Sequence, residues 1–209
     1  MSAPSRAERL AGLTWRRGLF LVAAYAAWSA AVAPLLPAYA RLVTPAAGAL
    51  LDLLRPHGLE IPLEAAFPEV IWQLDGMPAG LCRIPFRLVS YNLVLFLALA
   101  AVWPALSLGR RALIAAAGLP LLWVFHTVDL CLAVESRLLT HLRPASYHLS
   151  QGVDLWFLAV KYYHSFSVLA LKQILPFFLV WGLTLVPSRW PRQLAGRLRG
   201  PLHRLMTRC

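Results

Sequence analysis

Apolar residues in this 209-residue chain fall into four long runs separated by two more polar stretches. A helix rises 1.5 Å per residue, so crossing a hydrocarbon core ~30 Å thick takes about 20 mainly apolar residues. Gly18 to Ala40, Leu88 to Leu108, Ala112 to Val134 and about Ser165 to Val186 all reach that length. Charge bounds each run: Arg16-Arg17 and Arg41 the first, Arg87 and Arg110-Arg111 the second, Arg111 and Glu135 the third, Arg189 the end of the fourth. The second and third runs meet at a very short turn, which predicts a tight antiparallel hairpin. The pattern predicts an all-α, polytopic membrane protein with four transmembrane helices, forming a single integral membrane domain over 1–209.

The stretches between the runs carry their own pattern. In 41–87, Ala46 to Leu54 is apolar with Asp52 and Arg55 at its polar end, which fits a short helix lying on the interface. Pro56, Pro62, Pro68, Pro78 and Pro85, with Gly58, Gly76 and Gly80, then break the segment into turns. Trp72 reads as an interfacial anchor. In 135–164, Asp154 to Tyr163 reads as an amphipathic or re-entrant helix that leads into the fourth span. A cleaved signal peptide is the rival reading of the first run, with Ala38-Tyr39-Ala40 as its cleavage site. The run is too long for a signal-peptide apolar region of about 7–15 residues, so it is expected to stay as a span.

Composition agrees with the spans, and charge orients them. The chain is 59% hydrophobic and only 14% charged, which excludes disorder and an ordinary cytosolic domain. Its net charge of +11 would suggest a nucleic-acid partner in a soluble protein. Twelve of the 20 basic residues, however, lie in the N-terminal tail (Arg6, Arg9, Arg16, Arg17), the short turn (Arg110, Arg111) and the C-terminal tail (Arg189 to Arg208). Seven of the nine acids lie in the two long stretches. The positive-inside rule then places both termini in the cytoplasm and both long loops, 41–87 and 135–164, outside. The implied setting is a membrane, with the lipid bilayer as first partner and no nucleic acid. Cys82, Cys131 and Cys209 are widely spaced, which indicates neither a disulfide framework nor a zinc site, and no cofactor is implied.

The candidate chemistry sits toward the outer side. Cys82 precedes the second span, with Arg83 and Arg87 nearby; cations lower a thiol's pKa and favour the nucleophilic thiolate. His164 opens the fourth span and is the candidate general base, since Cys with His is the minimum for acyl transfer. Inside the spans lie His126, Asp129 and Lys172, costly there and expected to face the bundle interior. His126 and Asp129 are three apart and share a helix face. Asp129 lies roughly 9 Å from Glu135, and Lys172 roughly 10 Å from Ser165, at the helical rise. Matching depths predict an Asp129–Lys172 pair between helices. A zinc site of His126, Asp129, His148 and His164 is a weaker reading, because no tight ligand pair is present.

This layout resembles the exosortase/archaeosortase family of membrane cysteine transpeptidases over roughly residues 80–186. Cys82 stands before a span, Arg110-Arg111 make a short basic turn, Leu119 to Asp129 is similar to the family's Arg-bearing helix, and His164 opens the last span. The resemblance implies a polytopic fold with an outward-facing site that processes C-terminal sorting signals. The departures are specific. Cys82 is followed by Arg83-Ile84 rather than a small residue and Gly, and the family's Asn-x-x-Arg is replaced by His126-Thr127-Val128-Asp129, with an acid where the cation belongs. An acid there repels the developing negative charge of acyl transfer.

The leading expectation is therefore an accessory protein that binds an exosortase or its sorting-signal substrates. The second is a divergent cysteine peptidase using Cys82 and His164, with Arg83 or Arg87 replacing the missing arginine. The third is a small ion or solute carrier using His126, Asp129 and Lys172.

Overall fold

A computed structural model describes residues 6–54, 61–72, 83–104, 106–142 and 155–186. They are mostly helical. Helix α1 (Arg6–Val32) passes through a 3-10 turn (Ala33–Leu35) into α2 (Leu36–Leu54). Three short strands follow, β1 (Leu63–Ala66), β2 (Glu69–Trp72) and β3 (Arg83–Pro85), then α3 (Phe86–Val102) and α4 (Leu108–Leu142). Helix α5 (Leu155–Phe166) runs through a π-helical turn (Ser167–Leu171) into α6 (Lys172–Leu185).

Three helical runs are long and apolar enough to cross a membrane: Trp15–Leu54, Leu108–Thr140 and Leu155–Leu185. Helix α3 is apolar but shorter, and it is the most enclosed element, packing against α1, α4 and α6. At 17 residues it is roughly 26 Å long. Its approach to α4 is close: a Cβ on Gly118 would stand 2.1 Å from the Phe96 ring. Small residues at such crossings let two backbones meet without a side chain between them.

The structure corrects three expectations. First, the first helical run does not stop at Arg41. It continues through α2 to Leu54, so Ala46 to Leu54 is no separate interfacial helix. The reason is packing: Ala40, Val43, Thr44, Ala47 and Leu51 form one buried stripe at helical spacing against α4 and β1, while Arg41 lies exposed on the opposite face. Ala38-Tyr39-Ala40 lies inside this helix, with Ala40 wholly buried. Second, the all-α expectation misses an antiparallel sheet of order β1-β2-β3, with Leu63 opposite Trp72 and Val70 opposite Ile84. Third, Trp72 is no interfacial anchor; it is fully buried in the core under that sheet.

Two hydrophobic cores stack along the bundle. One joins α2, the sheet, the first turn of α3 and the later half of α4, through Val43, Leu51, Trp72, Phe86 and Val134. The other joins α1, α3, early α4 and α6, through Val32, Phe96, Leu122 and Val180. Tyr39 touches both.

One end of the bundle gathers arginines from two segments. At that end Arg17 and Arg111 line a common cavity. There the Arg110 guanidinium donates to the carbonyls of Leu183 (3.3 Å), Thr184 (3.4 Å) and Val186, closing the end of α6. Arg111 donates to the Trp103 carbonyl at 3.3 Å, closing the end of α3. Cations suit helix C-termini because the last carbonyls are unpaired and partly negative. The start of the first run, the short turn and the end of the last helix thus share one basic end. The sheet and the later turns of α4 form the other end, where Arg137 donates to the Arg83 carbonyl at 2.6 Å.

Candidate functional site

The polar residues inside the bundle collect at the junction between the two cores. His126 on α4 is fully buried and bonded on both ring nitrogens. Tyr39 on α2 donates its hydroxyl to His126 Nδ1 at 2.6 Å, and His126 Nε2 donates to Asn92 Oδ1 on α3 at 2.5 Å. Asn92 Oδ1 can only accept, so the Nε2 that faces it carries a proton. The ring also stands edge-on to Tyr39 and Phe125. One side chain therefore ties three helices together. Tyr39→Phe removes the donor to Nδ1 and is expected to lower stability by about 1–3 kcal/mol, read from thermal unfolding in detergent.

One turn further along α4, Asp129 is 1% exposed and meets Lys172 at the start of α6. Lys172 Nζ lies 2.6 Å from Asp129 Oδ2, an ion pair by distance that lacks hydrogen-bond alignment. Ser167 donates to the other carboxylate oxygen at 2.5 Å. Both partners come from the π turn. In an α-helix, residues five apart point roughly 140° away from each other. In a π turn the i and i+5 residues are hydrogen-bonded neighbours one turn apart, and the Lys172 N–H does reach the Ser167 carbonyl. The wider turn thus brings Ser167 and Lys172 onto one face, both aimed at Asp129. Pro176, buried in the next turn of α6, lacks the N–H that would bond the Lys172 carbonyl, which helps keep the regular helix from extending back.

Along α4, Asp129 lies roughly 27 Å from Arg111, and along α6 Lys172 lies roughly 21 Å from Val186. The polar layer therefore sits in the half of the bundle away from the basic end.

Toward that far end, α4 and α5 are joined by polar contacts. Trp156 Nε1 donates to buried Glu135 at 3.0 Å, and the Lys161 ammonium donates to the Ser136 carbonyl at 3.0 Å and to the Thr140 hydroxyl. His164 lies on α5, part-buried. Arg87 lines a groove of about 370 Å³ between α1 and α3, together with Tyr25, Ser29, Ser90 and Tyr91. Arg83 is exposed on β3 and pairs with Glu69 at 3.5 Å.

Asp129 and Lys172 are thus brought together, and His126 is placed in a separate cluster beside them. His164 lies on the helical run that leads to Lys172, while Arg83 pairs with Glu69 on the sheet and Arg87 lines the groove between α1 and α3. Cys82 and His148 lie outside the described residues. Among the described residues no three of His, Cys, Asp or Glu gather as a metal site, and His126 has no ring nitrogen left for one. Cys131 is buried in the core.

Sequence reasoning missed Tyr39, Asn92, Ser167 and Arg137. Asn92 carried a usable signal, being an amide within an apolar run, where a neutral polar side chain also needs a partner. No protein-family model, curated protein or solved structure matches this chain, so the reading of the site rests on its own geometry.

Proposed function

We propose that this chain is a four-span protein of a bacterial inner membrane, with both termini cytoplasmic, that acts by binding. Its place is as an accessory of an exosortase-type protein-sorting system, engaging the exosortase or its sorting-signal substrates from the outer face. The observation that carries the binding reading is the state of the interior polar groups. His126 has both nitrogens bonded, and Asp129 is held by Lys172 and Ser167. A catalytic acid or base needs a reacting proton within reach, and these groups are sealed inside the bundle. They hold helices together and leave the outer face free to recognise a partner.

The fourth span in this reading is α3, whose length approaches the hydrocarbon thickness. The orientation is supported by the shared basic end, which the positive-inside rule assigns to the cytoplasm.

A divergent cysteine peptidase is the second reading, favoured by the part exposure of the His164 ring. One experiment separates the two. Cleavage of sorting-signal proteins is followed in cells carrying Cys82→Ala, His164→Ala or a deletion of the whole gene. Full processing in both point variants and loss only in the deletion is the expected result. Loss of processing in each point variant at normal protein level would establish the enzyme instead.

A further inference from the structure

The basic end of the bundle holds a cavity that the polar layer and the outer face do not explain. It measures about 500 Å³, within the range of small-molecule sites, and lies between α1 and the α3–α4 turn. Arg17 and Arg111 bring two positive charges to it, and Phe20, Leu21, Leu99 and Trp103 supply an apolar wall. The Arg111 guanidinium is anchored through one nitrogen to the Trp103 carbonyl, while its Nε is buried and without a hydrogen-bond partner. Topology accounts for which side these arginines occupy. It does not account for their converging from two segments onto one cavity with an apolar wall.

We propose that this cavity binds an anionic phospholipid of the adjoining leaflet. The phosphate oxygens accept from the guanidinium groups of Arg17 and Arg111, and the first methylenes of the acyl chains lie against Phe20, Leu21 and Leu99. Guanidinium pairs phosphate through its fixed fork of donors, and basic cavities between helices on the cytoplasmic side are where anionic headgroups collect. The cytoplasmic leaflet, rich in anionic lipid, is the one this end meets in the proposed orientation. The inference does not depend on what the outer face binds.

The test uses the full chain in nanodiscs of phosphatidylcholine doped with phosphatidylglycerol. After extraction into detergent, native mass spectrometry counts the phosphatidylglycerol retained. The wild-type chain is expected to keep one phosphatidylglycerol in preference to phosphatidylcholine. Arg17→Ala should weaken that preference on the order of tenfold, the effect of losing one charge-assisted contact. Arg16→Ala removes the same charge from the neighbouring position, which does not line the cavity, and should leave the preference intact. Equal losses in Arg16→Ala and Arg17→Ala would show diffuse attraction to a basic surface and overturn the site. A second arm adds inorganic phosphate to the delipidated protein. Thermal stabilisation by phosphate that matches phosphatidylglycerol and vanishes in Arg17→Ala would identify the free anion as ligand and overturn the lipid assignment.

Discussion

Lys172→Met is expected to destabilise the protein by about 3–5 kcal/mol, the usual cost of removing one member of a buried ion pair. The size follows from what remains. Asp129 is 1% exposed and would keep only the Ser167 hydroxyl, on one of its two oxygens. A carboxylate without a counter-charge in a low-dielectric interior must take up a proton or draw in water, and either change costs free energy. For a chain of this length the loss corresponds to a fall in melting temperature of roughly 10 °C in detergent. Lys172 cannot relieve the site by snorkelling, because its side chain is only 6% exposed. An unchanged melting temperature would show that the pair contributes nothing and that the two charges are solvated separately.

Gly118→Ala carries the second large effect, and it arises from shape rather than charge. A methyl group at this position would lie 2.1 Å from Phe96 Cζ and 2.8 Å from two further ring carbons. Phe96 is fully buried in the core between α1, α3, α4 and α6, so its ring has no open space to enter. Helix α4 must then move away from α3, or the ring must leave its rotamer. Overpacking of this kind costs about 1–3 kcal/mol and occasionally more. Phe96→Leu in the same chain should recover part of the loss, because the two changes share one contact and are not additive. Thermal unfolding of the two single variants and the double variant measures that coupling. A Gly118→Ala chain as stable as the wild type would contradict the close approach of the two helices.

Three long apolar helices were legible because length and hydropathy report directly on the solvent a helix can tolerate. The Asp129–Lys172 pair was legible for a related reason. Two opposite charges at similar depth in apolar runs have few partners besides each other. What the charges do not mark is where a helix ends. Arg41 looked like a boundary, yet it lies on the exposed face of a helix whose opposite face packs against α4. The sheet was hidden because its strands have three or four residues each and owe their pairing to the core beneath them. Trp72 is part of that core, and a tryptophan in a loop reads the same whether it anchors at an interface or fills an interior. The π turn left no trace either: Ser167 and Lys172, five apart, point to different faces on any regular helix. Tyr39 and Asn92 were ordinary residues until the fold set them on either side of His126.

The comparison of charge with shape bears on function. Asp129 is an acid inside an apolar helix, and the structure gives it a partner at the start of α6. The Asp129–Lys172 contact is therefore part of what joins α4 to α6, and the account assigns it no role in recognising a partner or cleaving a bond.

The most direct measurement of this claim uses the double variant Asp129→Leu, Lys172→Met. Replacing a whole buried ion pair by apolar residues of similar volume is often neutral or stabilising, so this chain is expected to escape the loss of about 3–5 kcal/mol expected of Lys172→Met alone. It is expressed in cells lacking the wild-type gene, its melting temperature is taken after purification, and processing of sorting-signal proteins is followed. The account expects a melting temperature near that of the wild type and undiminished processing. A double variant that is as stable as the wild type but has lost processing would show that the ion pair takes part in the function itself.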